Sequence, residues 1–219
     1  MINFSNITKF YKKRNLEYRA LYDVSFDINP GDYIFICGDR GSGKTTLLNI
    51  LGCVSDFDYG KYTFYGIDIG SKNDRELSKL RNERFCFIPE GDSLIPELNL
   101  FENVSIPLLY SKISREEKRS RVLKYLSMLS IDKYKYLHID SLCMRDRKMI
   151  CIARALVGGG DIIIADELFE YLDESDCEII FNILFGLNKK GATLIISGNK
   201  LNKYSYGSRI INLRDGMKV

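Results

Sequence analysis

Residues 38–45 read Gly38-Asp39-Arg40-Gly41-Ser42-Gly43-Lys44-Thr45, a glycine-rich octet closed by a lysine and a threonine. Its spacing, Gly-x-x-x-x-Gly-Lys-Ser/Thr, is that of a loop whose backbone N–H groups close around a phosphate. Glycines let the chain curl tightly enough for successive N–H groups to face inward. Lys44 adds a compact charge for the terminal phosphates of ATP, and the Thr45 hydroxyl is a ligand for Mg2+. Asp39, Arg40, Gly41, Ser42 and Thr46 complete the candidate nucleotide contacts. The surroundings suit the string. Tyr33 to Cys37 is an apolar run after the Pro30-Gly31 turn, so a buried strand is expected there. Thr45 to Leu51 has helical character, and the positive end of that helix would face the same phosphates.

A second chemical motif closes the run Ile162-Ile163-Ile164-Ala165-Asp166-Glu167. An apolar strand ending in two carboxylates gains meaning from the loop upstream. If this strand lies next to that of the phosphate loop, Asp166 reaches the metal, directly or through water. Glu167 then faces the terminal phosphate and can orient or deprotonate an attacking water.

Around these motifs the chain reads as strands at both ends and helices between. Leu21 to Ile28 alternates apolar and polar residues, as a half-buried strand does. Phe85–Ile88, Asp161–Ala165, Leu194–Ser197 and Arg209–Leu213 read as further strands. From Phe101 to Ser141 the pattern is helical: Ser114-x-x-Glu117 has the form of a capping box, and Val122, Leu126 and Leu129 recur on one face. An α/β core with an inserted helical lobe follows.

Composition narrows the function classes. At 219 residues the chain supports one well-buried core or a core plus a smaller lobe. No stretch approaches the roughly 20 apolar residues of a membrane span, and Met1–Phe10 lacks a signal-peptide layout, so a soluble protein is expected. A net charge of +3 is too small to argue for nucleic acid, and the run Lys12-Lys13-Arg14 reads as a solvated loop. The six cysteines include no Cys-x-x-Cys pair and there is one histidine, His138, so a zinc site is not expected. Cys37, Cys86 and Cys151 lie in apolar runs, where a thiol packs as a small hydrophobe in a reducing compartment.

Together these residues resemble the ATPase subunits of ABC transporters, nearly end to end. The resemblance is strongest to the branch serving lipoprotein release, macrolide export and peptide-resistance permeases. It is carried by Ala20-Leu21-Tyr22-Asp23-Val24-Ser25, by the phosphate loop running into Leu47-Leu48-Asn49-Ile50-Leu51-Gly52, and by Leu94-Ile95-Pro96. Glu102-Asn103-Val104, Ile152-Ala153-Arg154-Ala155-Leu156 and Arg214-Asp215-Gly216 extend it. The resemblance implies a P-loop NTPase core: a mixed sheet flanked by helices, an antiparallel β subdomain and an inserted α-helical subdomain. The α/β core would take residues 1–92 and 143–219, and the helical subdomain 93–142. It also implies a nucleotide-sandwiching homodimer or heterodimer docked under an integral membrane permease. The chain would then be cytoplasmic, on the inner face of the membrane. Tyr11 takes the place of the aromatic that stacks on adenine, and Asp173 that of the last residue of the D-loop, although Glu170 and Tyr171 before it are unusual.

Three family motifs are altered. Where Leu-Ser-Gly-Gly-Gln is expected, the chain has Leu142, Cys143, Met144, Arg145 and Asp146. A weak thiol donor replaces the hydroxyl, side chains replace both bare glycines, and Asp146 turns a negative charge toward a polyanion. Asn199 stands for the switch histidine; it hydrogen-bonds a phosphate oxygen but carries no proton charge near neutral pH. Glu90 stands for the glutamine of the loop after Phe85–Ile88, keeping an oxygen for the metal while adding a negative charge. Magnesium-ATP binding with slow hydrolysis is expected, with Lys44, Glu90, Glu167 and Asn199 as the catalytic set.

Overall fold

The computed structural model describes residues 1–13, 16–170 and 172–219. Arg14 of the basic run and Tyr171 lie outside the described residues. In chain order the first half comprises β1 (Ile2–Lys13), β2 (Leu16–Ile28), β3 (Tyr33–Cys37), α1 (Lys44–Leu51), β4 (Tyr59–Phe64), β5 (Ile67–Asp68), α2 (Asp74–Arg84) and β6 (Phe85–Ile88). The helical stretch follows as α3 (Leu100–Ser105), α4 (Arg115–Met128) and α5 (Met144–Val157). Then come β7 (Ile162–Ala165), α6 (Glu174–Asn188), β8 (Thr193–Gly198), β9 (Arg209–Arg214) and β10 (Met217–Lys218).

Two sheets form. The first is antiparallel, ordered β2-β1-β4-β5, and the second runs β10-β9-β3-β8-β7-β6. Within the second, β9, β3, β8, β7 and β6 are mutually parallel, and only the β9–β10 pair is antiparallel. Parallel strands covered on both faces are apolar at every position, and alternate residues serve opposite layers. Ile34 and Ile36 of β3, Ile162 and Ile164 of β7 and Ile195 of β8 pack toward α1 and the antiparallel sheet. Phe35, Ile163, Ala165, Leu194 and Ile196 pack the other way, among residues of α3, α4, α5 and α6.

The helical lobe gathers on α5, which packs against α3 and α4 and also against β6 of the core. The expected boundary at residue 143 therefore falls at the start of a helix shared by both parts. Val122, Leu126 and Leu129 are all buried, with Leu129 just past the helix as its C-cap. The box at Ser114 is half formed. Ser114 Oγ accepts from Glu117 N at 3.1 Å, but the Glu117 carboxylate turns forward to Arg121 at 2.7 Å instead of back to the cap. Complete boxes close at Asn73 with Glu76 and at Asn99 with Glu102.

One expectation about neighbours needs correction. β7, which carries the acidic pair, is not beside β3; β8 lies between them. Strand order follows from tertiary packing, and a buried Ile-rich run fits equally at either position. The consequence is chemical, because β8 places its own side chains between the phosphate loop and the two acids. All six cysteines are free thiols, and burial pushes Cys53 up to about 11 and Cys86 up to about 12, far from a thiolate at neutral pH.

Candidate functional site

β3, β8 and β7 end side by side, and in parallel α/β sheets ligands lie at those C-terminal ends. α1 opens at Lys44, whose side chain is buried. Lys44 Nζ donates to the carbonyls of Gly38 at 2.7 Å and Asp39 at 3.1 Å and to Asn199 Oδ1 at 3.0 Å. It also lies 3.3 Å from Glu167 Oε1. Asn199 Nδ2 donates to Glu167 Oε2 at 3.4 Å, so lysine, asparagine and glutamate close a ring. The neutral amide serves here as acceptor through Oδ1 and donor through Nδ2.

The loop is shaped for a group that the chain does not supply. Gly43 adopts φ 101°, and a Cβ there would sit 2.6 Å from the carbonyl of Ala20. A Cβ on Gly38 would run into the Leu213 carbonyl and, at 2.5 Å, the Ser42 hydroxyl. Ser42 Oγ is buried without a hydrogen-bond partner among the described residues. An orphaned buried hydroxyl, a lysine at the loop's mouth and backbone that excludes side chains fit a bound polyphosphate.

The acids are held from β8. Ser197 Oγ donates to Asp166 Oδ1 at 2.5 Å and accepts from Glu167 N at 3.0 Å. Asp166 N in turn donates to the Ile88 carbonyl at 2.9 Å. Glu167 occupies the left-handed region at φ 43°, which costs a non-glycine residue about 1–3 kcal/mol, and the Ser197 hydroxyl secures it there. Burial raises the pKa of Glu167 above the ordinary carboxylate value, outweighing the pull of Lys44.

Arg40, Gly41, Lys44, Thr45, Glu90, Glu167 and Asn199 line a single cleft of about 400 Å³, joined by Glu170. Three carboxylates thus face two cations, with Arg40 reaching Glu170 at 3.4 Å. By its side-chain charges such a cleft suits a polyphosphate that carries a divalent cation better than a bare one. The Thr45 hydroxyl, Asp166 and Glu90 are the hard oxygen donors that suit Mg2+.

A family profile described as "ABC transporter" matches residues 21–170. The chain belongs to the ABC transporter family. It is 33% identical to the ABC transporter ATP-binding protein YknY of Bacillus subtilis (strain 168), over 99% of this chain and 94% of that protein. It is 35% identical to the ATP-binding protein MJ0796 of Methanocaldococcus jannaschii, over 99% and 94%. The macrolide export ATP-binding/permease protein MacB of Azoarcus sp. (strain BH72) is 33% identical, and this chain spans 33% of its length. A solved dimeric structure of MJ0796 in a post-hydrolysis state with ADP and Pi superposes with a TM-score of 0.94, at 34% identity over 100% of this chain and 96% of that one.

Other expected residues of this ABC ATP-binding domain lie outside the cleft wall. Tyr11 sits on β1, its ring stacked on Tyr18 with centroids 5.5 Å apart. Asp173 caps α6, accepting from Asp176 N at 2.8 Å, and that hydrogen bond holds its carboxyl below the ordinary range. The altered signature opens α5. Leu142 is buried in the core, Met144 is half exposed, and Cys143 Sγ donates to Asp146 Oδ2 at 3.4 Å. Arg145 is engaged within its own chain: it grips Asp176 through Nε at 2.7 Å and a terminal nitrogen at 2.5 Å, and Asp146 at 2.8 Å. These carboxylates raise the guanidinium pKa further.

Three contributors escaped the sequence reading. Ser197 ends an apolar strand and gave no sign beyond being polar there. Glu170 was noticed only as an odd residue ahead of Asp173, and its place in the cleft depends on the turn after β7. Lys148 carries no motif, yet it is 3% exposed beneath the Glu90 loop.

Proposed function

We propose that this chain binds magnesium-ATP, hydrolyses it slowly and couples ATP-dependent dimerisation to a membrane permease. The observation that carries this reading is the ring of Lys44, Asn199 and Glu167 at the mouth of a glycine loop. An incoming γ-phosphate takes the lysine from Asn199 and Glu167, and this frees the carboxylate to orient water. Mg2+, once bound, supplies Lewis-acid neutralisation of phosphate charge. Thr45, Asp166 and Glu90 hold it, the loop amides with Tyr11 and Thr46 hold the nucleotide, and Asp173 borders the dimer face.

Slow turnover is supported by what is missing. A donor aimed at transition-state charge is worth about 2.7–4 kcal/mol when removed, and such losses do not simply add. The Leu142–Asp146 segment offers no bare backbone to a partner's phosphate, and its arginine is already spent on Asp176. The same facts favour a second reading, a non-hydrolysing module that gates its partner through ATP-dependent dimerisation. Steady-state phosphate release by the purified protein, against Glu167→Gln, separates the two. Faster release by the unaltered chain supports the enzyme, and equal release rejects it.

The permease is supported by the MacB relatives, whose names join ATP-binding and permease functions in one chain three times as long as the matched part. A cleft of about 990 Å³ between α2, β6 and the helical lobe, with Arg81, Phe87, Ile95, Pro107 and Arg154 on its wall, suits a cytoplasmic segment of such a permease. The chain would sit on the cytoplasmic face of such a permease; no helix among the described residues is long and apolar enough to cross a membrane. The second subunit is another copy or a related ATPase. The cargo would be exported or extracted, peptide-like or lipid-like, in keeping with relatives named for macrolide and syringafactin export.

A further inference from the structure

Lys148 lies in the second turn of α5, and only 3% of it is exposed. Burying an ammonium group costs several kcal/mol unless the protein gives it partners. The partners here are two main-chain carbonyls, Pro89 at 3.0 Å and Glu90 at 3.1 Å. Among the described residues Lys148 makes no ion pair, and the carboxylates of Asp166, Glu170 and Glu90 act on its charge through space. Burial lowers its pKa, and those three carboxylates work in the opposite direction.

The same helix grips the rest of this loop. Arg147 reaches Asp92 at 3.3 Å, and Arg154 bonds the Ser93 carbonyl at 2.9 Å and its hydroxyl at 2.6 Å. Those contacts secure residues 92 and 93 from the surface side. Among the described residues Lys148 is the one side chain that hydrogen-bonds the backbone of residues 89 and 90, from within, where the loop turns Glu90 into the nucleotide cleft. Glu90 is also where a carboxylate stands in place of the expected amide, so a charged side chain hangs from a backbone tied to a buried cation.

We propose that Lys148 is the positioning residue of Glu90: by binding the Pro89 and Glu90 carbonyls it aims the Glu90 carboxylate at the metal-bearing end of the cleft. This rests on the reading of the cleft as a magnesium-nucleotide site. Lys148 touches neither nucleotide nor metal and acts only through Glu90. Losing it therefore matters only while residue 90 carries a side-chain oxygen that can reach the metal, as glutamate and glutamine do and alanine does not. A general structural role would weaken the site equally whatever stands at 90.

The experiment is a double-mutant cycle read by equilibrium binding, without turnover. Mg2+ is titrated into a fixed concentration of methylanthraniloyl-ATP with the full chain, Lys148→Gln, Glu90→Ala and the double variant. Glutamine keeps a donor for the carbonyls but drops the charge and the reach. Lys148→Gln is expected to raise the Mg2+ concentration at half-saturation by at least about threefold more in the Glu90 background than in the Glu90→Ala background. Lys148→Arg, which keeps a cationic donor, is expected to recover most of that shift. A difference below about threefold between the two backgrounds overturns the proposal. If Lys148→Gln does not melt cooperatively, Lys148→Met enters the same cycle under the same criterion. Lys44→Ala guards the underlying reading: if it binds the fluorescent nucleotide as the unaltered chain does, the cleft assignment has failed rather than the role of Lys148.

Discussion

Replacing Ser197 with alanine removes one hydroxyl and disturbs both acids at once. Ser197 is 1% exposed, and its Oγ donates to Asp166 at 2.5 Å while accepting from Glu167 N at 3.0 Å. A buried donor left unsatisfied costs about 1–3 kcal/mol, and a hydrogen bond to a charged group contributes about 1.5–3 kcal/mol. The two losses share one hydroxyl and a water can partly replace it, so about 2–4 kcal/mol is the expected destabilisation. For a chain of this length each kcal/mol moves Tm by about 2–4 °C, giving a drop of about 4–16 °C by scanning calorimetry in nucleotide-free buffer. Ser197→Thr, which keeps the hydroxyl, is the matched control. The left-handed backbone at Glu167 also loses its acceptor, so phosphate release by Ser197→Ala should fall alongside Tm. A Tm within about 2 °C of the unaltered protein would refute the claim that β8 holds the acid pair.

Two further substitutions probe charge. A carboxyl whose pKa is higher folded than unfolded binds its proton more tightly in the folded state; it favours folding below the ordinary carboxylate range and loses that advantage as pH rises through the raised value. Burial raises Glu167 in this way, so Glu167→Gln should raise the Tm of the nucleotide-free protein at pH 7–8 (about neutral) relative to the unaltered chain, with the gap closing toward about pH 4; a gap that widens on acidification contradicts this. Arg145→Ala strands Asp176, which is 3% exposed, and because the arginine itself is one-third exposed and the α6 N-terminus offsets part of the loss, about 1–3 kcal/mol of stability should go. Urea unfolding at neutral pH measures it, and an unchanged midpoint would remove the ion pair from the account.

How much of this was legible depended on whether the physics was local. The phosphate loop, β3 before it and α1 after it are set by glycines, an apolar run and a helix start within about 20 residues, and all three were readable. β1 was not, because bulges between Phe4 and Ile7 and between Ile7 and Lys9 break the alternation that marks a strand. β2 was read only from Leu21, since Leu16–Arg19, although paired, are exposed. α2 fully buries no residue and turns only Leu77 and Leu80, both partly buried, toward the core, a face too short to read. In the site, residue types were visible and partnerships were not. Asp166 and Glu167 stood out as an acidic pair, but the serine that orients them is about 30 residues downstream on a strand whose place between β3 and β7 is a tertiary outcome. The altered signature was evident as a loss, whereas the use made of Arg145, an ion pair with the start of α6, needed the fold.

The account stands or falls on the ammonium group at the mouth of the loop. Equilibrium binding of labelled ATP with Mg2+ to Lys44→Ala, checked by calorimetry for an intact fold, is the direct measurement. A charge-assisted contact of this kind predicts affinity weakened by about tenfold to a hundredfold. Binding as tight as that of the unaltered chain would contradict the assignment of residues 38–46 as the nucleotide site.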